Sequence, residues 1–212
     1  MKLVFVINKE SDKSYAKDPK IIEYIDEQYK SKSQIKSLET AKKQYQKSWN
    51  EINDEFSDYV EKITGYKWFY PKYECIISVF HRGISSWGNK PRIVRIFNED
   101  PIKMRRTTAH ELILSHYFEI YKRNYKQECL TDGQVWALAE IAAFALTSLD
   151  STVEKFWSGD TEYYINHNYP HIVDLQLKLK DIFLKRKDFN DYILKGIELV
   201  RKYPEMNSKG IS

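Results

Sequence analysis

The segment DGQVWALAEIAAFALTSL at residues 132–149 constrains the fold of this chain most strongly. It predicts a helix, and apolar residues occupy every side of that helix instead of a single stripe. Helices of this kind are buried, so much of the remaining chain has to pack around it. With 212 residues, 42% of them hydrophobic and 15% aromatic, the chain can supply that core.

A second periodic stretch runs from Ile35 to Ile63, where apolar residues recur at steps of three and four. This spacing predicts one long amphipathic helix over residues 31–64, with Gly65 just beyond its last apolar position. Aromatic residues at several positions of the stripe favour packing on a globular core. The alternative is a partner-binding helix that associates with a second copy.

The other elements follow from shorter patterns. MKLVFV predicts a strand, and DPKIIEYIDEQY predicts a short helix with Asp18 as its N-cap and Pro19 in its first turn. KWFYPKYECIISVFHRG and PRIVRIF predict two strands joined by the loop GISSWGNK. Further helices are expected at about 105–126, 132–149, 171–186 and 189–203. The order indicates an α+β fold, and we expect a single domain over residues 1–212.

Composition excludes several classes of protein. The 34 Lys and Arg residues are interspersed with 30 acidic ones, so the net charge of +4 describes a solvated surface, and we expect no nucleic-acid partner. No apolar run reaches the roughly 20 residues that span a bilayer, and the first apolar run is too short for a signal peptide. Cys75 and Cys129 stand far apart and support no disulfide framework. A cytoplasmic location without membrane contact is expected.

The stretch TTAHELILSHYFEIY at residues 107–121 carries the pattern that most suggests chemistry. His-Glu-x-x-His on a helix places two imidazoles about 40° apart, so that they bind one zinc ion while the Glu polarises its water. His110 and Glu111 fit the first two positions, but the fourth is Leu114, which cannot bind metal. His116 is about 240° from His110 on a regular helix, so its use as a ligand requires an irregular one.

Glu140 is the second candidate, because it interrupts the apolar helix WALAEIAAFAL. A buried carboxylate needs a cation, a hydrogen-bond network or a proton. An ion pair with Arg105 or Arg106 is one alternative to a metal. Glu111 also has an alternative role, since Thr108-x-x-Glu111 matches a helix capping box, as does Thr131-x-x-Gln134 at the start of the next helix.

Residues 73–150 resemble the gluzincins, in particular the minimal ones and related zincin-like proteins. The resemblance rests on His110-Glu111, on Glu140 in its apolar helix, and on the order strand, strand, helix, helix. It implies zinc as the cofactor, His110 and Glu140 as ligands, and Glu111 as the general base that acts on a peptide or protein substrate. His116 is the expected third ligand.

The substitution at Leu114 leads to an alternative within the same resemblance. It is a catalytically inactive zincin-like protein that has become a binding or regulatory module.

In zincins the strand edge beside the active helix binds an extended substrate, and residues 73–80 or 91–97 are the candidates here. His81 falls at the end of the first of these strands. A downstream loop offers further candidates for a ligand or a transition-state donor, namely Tyr163, Tyr164, His167, Tyr169 and His171.

Overall fold

The computed structural model describes residues 1–86, 91–158 and 172–203, which form an α+β protein. Backbone contacts divide it into two compact units, Met1–Phe56 with Tyr70–Leu112 and Ser57–Phe69 with Ile113–Ser212. We call them unit 1 and unit 2 and describe each by itself. The single domain expected over residues 1–212 stays a prediction.

The strands are β1 (Lys2–Val6), β2 (Lys72–Ser78), β3 (Gly83–Ser86) and β4 (Arg92–Ile96). The helices are α1 (Lys9–Ser14), α2 (Pro19–Gln28), α3 (Lys32–Asn50), α4 (Asn53–Thr64), α5 (Lys103–Asn124), α6 (Asp132–Ser148), α7 (Val173–Lys185) and α8 (Phe189–Val200). Short 3₁₀ turns lie at Lys126–Glu128 and Ser151–Lys155. No helix among the described residues is both long enough and apolar enough to cross a membrane.

Unit 1 contains a four-stranded sheet with the order β1-β2-β4-β3. β1, β2 and β4 are parallel neighbours, whereas β3 is antiparallel to β4 and lies at the edge. The strand predicted in MKLVFV is β1, and the two strands predicted to be joined by a loop are β2 and β4, which are both interior. The stretch predicted as their connecting loop contains β3, so that part of the prediction is wrong.

At the outer edge of β1, two side-chain amides form hydrogen bonds with the backbone of the strand. The backbone N–H of Phe5 donates to Gln46 Oε1 at 3.0 Å, and Gln46 Nε2 donates to the carbonyl of Leu3 at 3.1 Å. Asn53 accepts from the N–H of Leu3 at 3.4 Å and donates to the carbonyl of Met1 at 2.9 Å. The outer backbone groups of this apolar strand are therefore satisfied by helices α3 and α4.

The long helix predicted over residues 31–64 is two helices, and that prediction is wrong. A turn at Glu51 and Ile52 separates them, with the N–H of Ile52 bonded to the carbonyl of Trp49, three residues earlier. Asn53 then begins α4, and its side chain is bonded to the indole of Trp49 and to Met1. The apolar spacing continues through the break because each of the two helices buries an apolar stripe.

In unit 2, α6 is buried on all sides, as its composition predicts: every residue after Asp132 is buried. The capping box is confirmed, since Thr131 Oγ1 accepts from the N–H of Gln134 at 3.2 Å and Gln134 Oε1 accepts from that of Thr131 at 3.1 Å. Tyr59 on α4 donates to the carbonyl of Leu146 at 2.7 Å. These contacts fix the most apolar helix of the chain within its unit.

Other predicted helix ends are confirmed as well. Asp18 caps α2 by accepting from the N–H of Lys20 at 2.9 Å, with Pro19 at the first position. Gly65, just past α4, has a φ of 75°, a left-handed conformation that glycine adopts without strain. The capping box at Thr108 is wrong, because α5 already begins at Lys103 and Thr108 lies inside it.

Candidate functional site

Helix α5 carries the His-Glu motif and is a continuous α-helix from Lys103 to Asn124. His110 and His116 are therefore about 240° apart around its axis, and the irregular helix needed to bring them together is not found. Leu114, about 40° from His110, is buried. The helix does not reproduce a two-histidine zinc chelate, and zinc ligation by His110, His116 and Glu140 stays a prediction.

His116 lies in an aromatic environment within unit 2. Its side chain is 1% exposed, and its ring centroid is 4.7 Å from that of Trp68 and 5.2 Å from that of Phe69. Among the residues that the structure describes, neither of its ring nitrogens has a hydrogen-bond partner. Burial lowers the pKa of His116 to about 3, so the ring is neutral at physiological pH.

Glu111 makes contact with the edge strand β3 within unit 1. The hydroxyl of Ser85 donates to the Glu111 carboxylate and lies 3.0 Å from the Glu111 backbone carbonyl. The side chain of Glu111 is buried. The expected general base is therefore placed against the backbone of a strand.

Gly83 marks how closely α5 and β3 approach. A Cβ atom added at Gly83 would lie 2.7 Å from Glu111 Oε1 and 2.9 Å from Arg95 Nη1. Arg95 is 3% exposed and forms an ion pair with Glu99. A buried guanidinium and the motif carboxylate thus reach the same point of β3, and any larger residue at position 83 requires one of these two side chains to shift.

The substrate-binding edge predicted from sequence is in the wrong place. Residues 73–80 contain β2, which lies between β1 and β4, and residues 91–97 contain β4, which lies between β2 and β3. Neither can accept an added strand, because both sides of each are paired. The strand edge beside the motif helix is β3.

The other residues predicted from sequence are described unit by unit. Glu140 is buried in the middle of α6, in unit 2, as its apolar surroundings predict. In unit 1, Arg105 donates to Ser48 Oγ at 2.8 Å and forms an ion pair with Glu51. No group of three His, Cys, Asp or Glu side chains within residues 1–86, 91–158 and 172–203 is arranged to hold a metal ion. The loop candidates at residues 163–171 lie outside the described part of the chain.

Sequence reasoning missed Gly83, Ser85 and Arg95, which line the contact between Glu111 and the sheet. The only signal was a glycine followed by an isoleucine and two serines, too short and too polar to stand out as a strand. The chain was also compared with protein-family models, curated proteins and solved structures, and none of these comparisons found a match.

Proposed function

We propose that this chain is a zincin-like protein that binds an extended peptide along the edge of β3 and does not hydrolyse it. The observation that carries this proposal is the direct contact between the motif residue Glu111 and the edge strand, through Ser85. In the zincin resemblance, the strand edge beside the motif helix is the substrate-binding element.

The two edge strands of the sheet differ in how their outer backbone groups are occupied, and this difference supports the assignment of peptide binding to β3. At β1, the amides of Gln46 and Asn53 already occupy the outer backbone groups of the strand. At β3, the strand is bonded to β4 on one side and forms the edge of the sheet on the other. Peptide recognition by strand addition uses the main-chain groups of such an edge.

Binding without hydrolysis is favoured by the geometry of α5. The position that requires a second histidine is occupied by Leu114, and the helix is regular at this point. His116, the expected replacement, packs against Trp68 and Phe69. A histidine that faces a different side of the helix cannot share an ion with His110 in the usual chelate.

Zinc-assisted peptide hydrolysis is the second candidate function. It is supported by the same contact, because a carboxylate beside a peptide-binding strand is where a general base would be needed. In that case Glu111 is the base, and zinc is bound by His110, Glu140 and a further ligand.

The test of peptide binding is an NMR titration of ¹⁵N-labelled protein with a pool of random, N-acetylated decapeptides. We expect chemical-shift changes at Gly83, Ile84 and Ser85, and slowed hydrogen exchange at those β3 amides that face away from β4. The amides of Leu3 and Phe5 serve as the internal control, since their side-chain partners keep them paired. Unchanged β3 amides at millimolar peptide would refute the proposal.

The two candidate functions are separated by metal content, measured by mass spectrometry on protein purified without chelator or a His-tag. The inactive protein should hold no zinc after incubation with excess metal. Stoichiometric zinc that disappears in Glu140→Ala would instead support the peptidase. Peptide cleavage lost in Glu111→Gln, with zinc retained, would then assign the general base.

A further inference from the structure

A surface cavity of about 510 Å³ lies in unit 1, where β2 and β4 end and β3 begins. Its apolar lining comes from Val79, Ile84 and Ile96. The carboxyl ends of neighbouring parallel strands are a frequent position for binding crevices. Because Ile84 belongs to β3 itself, the cavity adjoins the strand to which we assign peptide binding.

The polar lining of this cavity is suited to an anion. The polar residues that line it are Arg82, His81 and Asn98. None of the described residues that line the cavity is acidic, and the nearby Glu111 carboxylate, beside the lining residue Gly83, is already hydrogen-bonded within unit 1. A guanidinium presents paired N–H donors that match the two oxygens of a carboxylate.

The segment of the cavity lining that contains His81 is fixed by buried hydrogen bonds. Asp12 accepts from Ser78 Oγ at 2.5 Å and from the N–H of Val79 at 3.0 Å. Ser78 Oγ in turn accepts from the N–H of His81 at 2.6 Å. Burial raises the pKa of Asp12 above its usual range, and the hydrogen bonds from Ser78 and Val79 offset only part of that rise.

His81 is also fixed through its ring. Its Nε2 lies 3.2 Å from the backbone carbonyl of Asp12, and its ring packs edge-on against Tyr15 and Phe80. The nearest acidic group is the carboxylate of Asp12, 4.0 Å from Nε2. Since that carboxylate already accepts three hydrogen bonds and is fully buried, it is not available to a ligand in the cavity.

Strand direction connects the cavity with the peptide. A peptide added antiparallel to β3 would run from the Ser86 end towards Gly83, so its carboxyl end would come to the cavity. A parallel peptide would bring its positively charged amino end to Arg82 instead, which is unfavourable. The charge of the lining therefore selects the antiparallel direction.

We propose that this cavity binds the free C-terminal carboxylate of a peptide that extends β3, so that the protein recognises chain ends. This inference rests on the peptide binding proposed above. Arg82 would bind the carboxylate, Asn98 would add a donor, and the apolar lining would hold the last side chain of the peptide. Such capture combines main-chain pairing with recognition of a terminal charge.

The experiment compares two decapeptide pools of the same composition, one ending in a free acid and one in an amide, titrated into the full chain. We expect the acid pool to bind at least tenfold more tightly. Arg82→Gln should reduce that ratio to about one, whereas Lys43→Gln, which removes an exposed charge from α3, should leave it unchanged.

Other outcomes would overturn the inference in distinguishable ways. Equal binding of both pools, with the β3 amides still shifted, would refute carboxylate capture and leave peptide binding intact. Failure of both pools to shift β3 would refute both proposals. If amide-ended peptides regain full affinity when their last residue is glutamate, the cavity binds a side-chain carboxylate and does not recognise the chain end.

Discussion

Replacing Gly83 by alanine tests the close approach of α5 to the edge strand. The new Cβ would lie 2.7 Å from Glu111 Oε1 and 2.9 Å from Arg95 Nη1, closer than carbon and these atoms approach without repulsion. Overpacking of this kind typically costs about 1–3 kcal/mol. The alanine also restricts the unfolded chain, which returns roughly 0.4–1 kcal/mol. From the middle of each range, the free energy of unfolding should therefore fall by about 1.3 kcal/mol.

The assay is urea unfolding followed by tryptophan fluorescence, together with a thermal melt. For a chain of this length, the expected loss corresponds to a melting temperature lower by about 2–8 °C. The cause is tested by a double-mutant cycle with Glu111→Ala, which removes the nearest clashing atom. In that background Gly83→Ala should cost less, because only the close contact with Arg95 remains, which gives a coupling energy of about 1 kcal/mol. An equal cost in both backgrounds would refute the contact between Glu111 and Gly83.

Three further changes test other features. Burial holds the pKa of His116 at about 3, below its ordinary 6.5, so the unfolded chain takes up the proton first. The contribution of the neutral His116 ring to the free energy of unfolding is therefore fully present above pH 6.5. It is lost as the pH falls towards 3, at up to about 1.4 kcal/mol per pH unit. In urea unfolding at pH 7 and pH 5, His116→Phe should lose less stability than the wild type, and equal losses would argue against a neutral buried ring. Thr131→Ala should lower stability by about 1 kcal/mol by breaking the cap of α6, whereas Thr131→Ser should be nearly neutral. Gly65→Ala should cost about 1 kcal/mol in a urea titration because φ is 75°, and Gly65→Asn should cost less; the same loss in both would contradict the left-handed cap.

Local patterns predicted α2, α5, α6, α7 and α8 because the causes of these helices are local. The spacing of apolar residues, the Thr131 to Gln134 capping box and Gly65 all act within one or two turns of chain. The all-round apolar character of residues 132–149 likewise predicted a buried helix, and Glu140 lies buried within it. None of these features depends on which distant segment packs nearby.

The strand arrangement could not be obtained in the same way. β3 is short and contains Gly83 and two serines, so its stability as a strand comes from pairing with β4 and from the bond between Ser85 and Glu111, 26 residues away. The break between α3 and α4 has a similar origin. Asn53 is bonded to Met1, 52 residues earlier, and periodicity contains no information on such a partner.

The candidate site was predicted in part. Sequence placed His110 and Glu111 on a helix after the sheet, and the structure has them there. It could not show that Glu111 meets an edge strand, because that strand was itself not predicted. It also could not tell whether α5 bends between His110 and His116, since a local distortion leaves no mark in the spacing of residues.

The side-chain amides at the outer edge of β1 have a consequence for folding yield. KLVFV is apolar and rich in strand-forming residues, and its partner β2 lies about 70 residues later in the chain. Until that partner pairs with it, the segment is a template for aggregation between partly folded chains. Gln46 and Asn53 lie closer in sequence and occupy the outer edge of the strand as soon as α3 and α4 pack against it. Their loss would therefore appear first as aggregated material during refolding, while the molecules that do fold would retain the sheet.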